Sequence, residues 1–158
     1  NPDIYEFLSG MQYLNLICDI YAIDTATRKE RIMDLSEKFG LTQALNQLIS
    51  SYSHGMKQKL VLISALIHEP ELLILDEPFV GLDPSASLTL KNIMKEMCAQ
   101  NKIIFFSTHV LEVAEKLCTK VAMIKQGKLI CSGSMEEVKG NESLENVFME
   151  LTENENHI

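Results

Sequence analysis

Two adjacent carboxylates, Asp76 and Glu77, close the apolar run Leu72-Leu73-Ile74-Leu75 and precede Pro78. Consecutive apolar residues of this length read as a buried strand, which delivers both acids at its C-terminal end, where ligands bind in open α/β sheets. That placement suits metal-phosphate chemistry. Magnesium prefers oxygen ligands and keeps part of its hydration shell, so Asp76 is the candidate to hold it, usually through water. Glu77 leaves the strand in a different direction and can accept a proton from, or orient, a water attacking a terminal phosphate. Taken alone, the short pattern fits a carboxylate pair in a turn equally well.

Three further segments carry chemistry. Ser51-Tyr52-Ser53-His54-Gly55-Met56-Lys57 precedes an apolar helical pattern, so a hydroxyl and free backbone N–H groups meet at the positive end of a helix dipole, where an anion can bind. Gly55 permits close backbone approach to a phosphate, and Lys57 and Lys59 add positive charge. On its own, Ser53 is an ordinary helix cap. Ser107-Thr108-His109 closes another apolar run, placing an imidazole on the same rim as the carboxylates if the two strands are sheet neighbours. Between these lies Gly81-Leu82-Asp83-Pro84, which also reads as a plain turn into a helix capped by Asp83.

The elements that must position these groups are legible from spacing. Met11, Leu14, Ile17, Cys18 and Tyr21 recur at three and four, predicting a helix capped by Ser9. Asp24 or Thr25 caps a second helix, which Gly40 stops. Residues 41 to 52 read as a helical turn and connection, and Ser53 opens a third helix ended by Glu69-Pro70. After Pro70 strand and helix alternate: Leu72 to Asp76, Pro84 to Gln100, Lys102 to Ser107, Val110 to Cys118. This predicts parallel strands with helical crossovers. Apolar residues on consecutive strand positions predict a sheet covered on both faces. Gln126-Gly127 joins a hairpin, short helices follow near Met135 and from Ser143 to Leu151, and the polar tail from Thr152 is expected to fray.

Composition narrows the function class. With 158 residues, 46% of them hydrophobic and 23% charged, the chain has the make-up of one globular domain. Its 14 basic and 22 acidic residues give a net charge of -8, which disfavours general nucleic-acid binding. The cysteines, at 18, 98, 118 and 131, lack metal-ligand spacing and read as buried free thiols in a reducing compartment. The longest apolar runs are strand-sized, so no membrane-spanning helix is expected, and the first residues read like the middle of a protein rather than a leader.

In this order the four segments resemble those of ABC-type ATPases. Tyr52-Ser53-His54-Gly55-Met56 is similar to the signature motif, Leu72 to Glu77 to the Walker B strand with its catalytic glutamate, Gly81 to Pro84 to the D-loop, and His109 to the switch histidine. The resemblance covers nearly the whole chain and implies an α/β fold: the C-terminal part of a P-loop NTPase, with a RecA-like parallel sheet and flanking helices, plus the ABC helical subdomain. Residues 1–70 then form that subdomain with the signature helix, 71–142 the core half, and 143–158 a C-terminal helix and tail. Ser143 to Phe148 and the Tyr-Ser-x-Gly-Met form of the signature resemble a bacterial exporter-type subgroup.

The resemblance further implies an ATP- and Mg2+-dependent ATPase subunit working with a transmembrane permease and a second ABC subunit, in a homodimer or heterodimer. No nucleic-acid partner is expected, and the location is cytoplasmic, at the inner face of the membrane. Asp76 then serves the metal, Glu77 and His109 catalysis on the chain's own ATP, and Ser53, His54, Gly55, Met56 and Asp83 nucleotide binding, with Ser53 and Gly55 facing the partner's ATP. The signature departs from the common Leu-Ser-Gly-Gly-Gln at His54 and Met56. None of the seven glycines begins a G-x-x-x-x-G-K-S/T loop, because the sole Gly-Lys pair, Gly127-Lys128, has Ala122 five residues before its glycine. The chain is therefore read as part of a longer protein, with Asn1-Pro2 just past the Q-loop glutamine, and is expected to be inactive alone. Two other readings are a soluble ABC-type ATPase acting on nucleic acid or ribosomes, and a non-catalytic interaction module; retention of Glu77 and His109 argues against the latter.

Overall fold

A computed structural model describes residues 4–154, so the readings of Asn1-Pro2 and of the extreme C-terminal residues lie outside the described residues. The chain divides after Ser107 into two compact units.

The first unit opens with helices α1 (Gly10–Ile20) and α2 (Thr25–Lys38). Ser9 and Gln12 form a reciprocal capping box on α1, and the Asp24 carboxylate accepts from the N–H groups of Ala26 and Thr27 at the start of α2. Gly40, at φ +65°, ends α2 in the left-handed conformation that glycine adopts without steric cost. Two short 3-10 turns, Thr42–Ala44 and Ile49–Ser51, lead to α3 (His54–Leu66), capped by Ser53. Glu69, at φ +52° before Pro70, breaks the helical run a little earlier than the sequence suggests.

Strand β1 (Leu72–Leu75) follows, then α4 (Pro84–Ala99) and β2 (Ile103–Phe106). The two strands pair in parallel, Leu72 opposite Ile103 and Leu75 opposite Phe106. The crossover helix has Asp83 as cap and Pro84 in its first turn, and buries Ala86, Leu90, Met94 and Met97, one face at helical spacing. These join Leu14, Phe39, Leu60, Ile63 and Ile67 in a single core. Tyr52 anchors the connection into α3: its buried hydroxyl donates to the Ala44 carbonyl at 2.7 Å. The backbone of α1 passes so close that a Cβ at Gly10 would lie 2.3 Å from that hydroxyl, so only glycine fits there.

The second unit contains α5 (Leu111–Leu117), the antiparallel pair β3 (Lys120–Lys125) and β4 (Lys128–Ser134), α6 (Met135–Lys139) and α7 (Leu144–Asn154). Gln126 and Gly127, at φ +49° and +76°, make the tight turn that matches strand twist. Ala114, Met123 and Leu144 form its small core. Glu115 ties three segments together, pairing with Lys139 and accepting from the Leu144 N–H at 3.1 Å.

Three expectations need correction. The β1–β2 sheet is not covered on both faces among the described residues: Leu73 is buried, whereas Leu72, Ile74, Ile103 and Phe105 are 52–66% exposed. No described element of the first unit packs over that second face. Helix α7 continues to Asn154, three residues past its expected end at Leu151. Of the four cysteines, none in a disulfide, only Cys18 is buried, and burial raises its pKa; Cys118 and Cys131 are half-buried and Cys98 is exposed.

Candidate functional site

Parallel pairing decides where the acids end up. The Ser107 N–H donates to the Leu75 carbonyl at 3.0 Å, continuing the ladder one residue past β2 and setting Ser107 beside the end of β1. Its side chain then reaches both acidic residues: Ser107 Oγ donates to Asp76 Oδ1 and accepts from the Glu77 N–H at 3.0 Å. Asp76 is exposed and Glu77 half-buried. Glu77 has φ +44°, a left-handed conformation that is uncommon for a residue with a side chain and that tends to occur at functional sites. The turn continues through the Val80 N–H, which donates to the Glu77 carbonyl at 3.1 Å, and Pro78 behind it is fully buried.

No group of three or more His, Cys, Asp or Glu side chains among the described residues forms a closed metal cage. The donor set fits magnesium, which takes one or two carboxylates and completes its shell with water and phosphate oxygens. Asp76 is exposed at the strand end with Oδ1 engaged by Ser107, as such a ligand requires.

A second cluster gathers at the start of α3. Ser53 Oγ accepts from the Met56 N–H at 3.3 Å, so the helix-cap reading of Ser53 holds in this structure. The Lys57 N–H donates to the Ser53 carbonyl at 3.0 Å, and the Lys57 side chain pairs with Glu6. His54 is exposed, and Met56 packs partly against the core. The loop carrying Gly81 and Asp83 lies directly against this helix start. A Cβ at Gly55 would fall 2.9 Å from the Gly81 carbonyl oxygen, and one at Gly81 would fall 2.8 Å from the His54 ring. Gly55 therefore lets the two backbones touch, while Gly81 leaves room for the His54 ring and, at φ +79°, also needs the left-handed region.

Lys59 locks this contact, a role the sequence offers only as general positive charge. Its Nζ lies 2.5 Å from Asp83 Oδ2, while Asp83 Oδ1 accepts from the Ala86 N–H at 2.9 Å. Lys59 first, and then the Ala86 N–H, hold the Asp83 carboxyl below the usual carboxylate range. A carboxylate with a lowered folded pKa adds stability above its unfolded pKa and loses it as pH falls through the folded value. The Asp83 contribution is therefore complete at neutral pH and fades below about pH 4. With the carboxylate side chain 47% exposed, solvent screening limits the pair to about 0.5 kcal/mol. Lys59→Met should accordingly lower the melting temperature by about 1–2 °C at pH 7 and by less at pH 3; equal losses at both would contradict the assignment.

His109 is exposed and follows β2 by three positions in sequence, at the start of the second unit. Beside it, Thr108 Oγ1 accepts from the Val110 N–H at 3.1 Å, shaping the turn into α5.

Comparison with known proteins gives this arrangement relatives. A family model described as ABC transporter matches residues 5–80, which take in the Tyr52–Met56 and Leu72–Glu77 segments. An ABC transporter ATP-binding protein of Nostoc sp. is 38% identical over 90% of this chain and 43% of its own length. The ABC transporter ATP-binding protein NatA of Bacillus subtilis is 33% identical over 92% of this chain and 61% of its own. A solved ATP-binding subunit of an ABC transporter superposes with a TM-score of 0.90 at 33% identity, over 96% of this chain and 65% of that one.

Residues 5–80 carry the ABC transporter family pattern, and the proteins similar to this chain over about nine tenths of its length are ABC transporter ATP-binding proteins. Its α/β fold, with helices flanking a parallel strand pair, is that of an ABC ATP-binding subunit. The chain spans less than two thirds of the length of these relatives. Another relative, a fluoroquinolones export ATP-binding protein of Mycobacterium tuberculosis, is 36% identical over 87% of this chain and 44% of its own length.

Proposed function

We propose that this chain supplies the signature and Asp-Glu half of an ATP-hydrolysing subunit that drives a membrane-embedded permease. The observation that carries the reading is the carboxylate pair at the C-terminal end of β1, fixed from the neighbouring parallel strand by Ser107. In this reading Asp76 holds Mg2+ through water, Glu77 orients and deprotonates the attacking water, and His109 contacts the terminal phosphate. A bound Mg2+ offsets charge on the phosphate oxygens.

Ser53, His54, Gly55 and Met56 address the ATP of a second ABC subunit. The start of α3 offers N–H groups and a helix dipole for its phosphates, and Asp83 extends the same surface through the loop seated on Gly55. Residues 1–70 serve as the helical subdomain facing the permease, 71–142 as the core half, and 143–158 as the C-terminal helix. The form of the signature, together with the export relative, favours an exporter-type subgroup. No described helix is long and apolar enough to cross a membrane; in this reading the permease provides the crossing. The working location is then the inner face of the cell membrane.

Phosphate release from ATP by the full-length subunit, with and without its permease, tests this. Turnover dependent on Mg2+ and stimulated by the permease is expected, whereas the 158-residue chain alone should bind ATP only weakly and release no phosphate. Submicromolar ATP affinity of the chain alone, measured by calorimetry, would count against it.

A further inference from the structure

We infer that Ser107 is a positioning residue for the Asp76-Glu77 pair, acting on both acids through one hydroxyl. The inference rests on the functional reading of those two residues given above. Three observations carry it. The hydroxyl is bifunctional, donating to the Asp76 carboxylate and accepting from the Glu77 N–H at 3.0 Å, across about 30 positions of sequence. The parallel ladder bond from the Ser107 N–H to the Leu75 carbonyl fixes the serine backbone at the height where both groups are in reach. And Glu77 sits at φ +44°, a conformation that persists only when its surroundings hold it.

An ordinary strand-end serine satisfies one nearby backbone group. Ser107 instead fixes two consecutive residues that have different tasks. Its donated hydrogen bond orients Asp76 and occupies Oδ1, so that the carboxylate presents its other oxygen. Its accepted hydrogen bond pins the Glu77 amide and with it the direction in which that side chain leaves the turn. Because the ladder bond is a backbone bond, a residue without the hydroxyl keeps the strand register and loses only the positioning.

The test uses the full-length subunit with Ser107→Ala, Ser107→Val and Ser107→Thr, beside Glu77→Gln. In the nucleotide-free protein, hydrogen exchange at the Glu77 amide should accelerate about tenfold in the Ala and Val variants, the loss expected for one hydrogen bond, with a melting temperature lowered by no more than about 5 °C. Under turnover the same variants should lose about tenfold in kcat with little change in the KM for ATP, and Ser107→Thr, which retains a hydroxyl, should restore both readouts. Unchanged exchange at Glu77, or faster exchange with normal kcat, would overturn the positioning role. If Glu77→Gln itself turned over normally, the functional reading would fall instead, whatever Ser107 does.

Discussion

Replacing Glu77 with glutamine in the full-length subunit is expected to lower ATP turnover about a thousandfold, the range associated with loss of a general base, while leaving ATP bound. Glutamine has nearly the same shape and can still accept a hydrogen bond, but it cannot take a proton from the attacking water. The backbone should tolerate the change, because the φ of +44° at this position and the Glu77 N–H bond to Ser107 involve main-chain atoms that both residues share. The loss should therefore fall on kcat rather than on KM, and the variant should accumulate bound, uncleaved nucleotide. Rapid quench of the bound fraction checks this: mostly ATP is expected, and mostly ADP would place the defect after cleavage. Asp76→Asn should differ in kind, raising the Mg2+ concentration needed for half-maximal activity, because it removes charge from the metal ligand rather than the base.

The second large effect is expected in the isolated chain, which should self-associate through the open face of β1 and β2. Leu72 lies opposite Ile103 and Ile74 opposite Phe105 in the parallel register, and all four are more than half exposed. They form one contiguous apolar patch next to outer strand edges that no described strand pairs with, the combination that favours pairing between copies. Full burial of such side chains is worth roughly 1.5–3 kcal/mol each, set against association costs of about 4–15 kcal/mol, so dimers should appear at micromolar to submillimolar concentration. Ile74→Ser combined with Phe105→Ser should return the isolated chain to a monomer in sedimentation experiments. In the full-length subunit, where the remainder of the domain is proposed to cover this face, the same pair should destabilise by roughly 2–5 kcal/mol. A wild-type chain that stays monomeric to about 1 mM would contradict the first expectation, and neutral substitutions in the full-length subunit the second.

Local chemistry made much of this architecture legible. Ser9, Asp24, Ser53 and Asp83 all cap the helices they were expected to cap, because a short oxygen-bearing side chain ahead of a periodic apolar run has one evident use. The parallel pairing of β1 and β2 follows from a 16-residue crossover helix between two apolar runs. The open sheet face was not legible, since consecutive apolar residues indicate that both faces need cover without saying which residues provide it. Nor was Ser107: a serine after a strand becomes informative only once the register places it beside the acids of its neighbour. The contact of Gly55 and Gly81 is similar, because glycine spacing cannot reveal which two backbones will touch. At Lys59 the charge was readable but its partner Asp83 was not, as that ion pair depends on how α3 packs beside α4.

In the proposed function, the acids at the end of β1 belong to an ATP-hydrolysing centre. Steady-state phosphate release by the full-length subunit, titrated with Mg2+ and compared with Glu77→Gln, tests it most directly. Mg2+-dependent release by the wild-type subunit is expected, with a loss of about a thousandfold in the variant. Equal release by both proteins, or release independent of Mg2+, would contradict it.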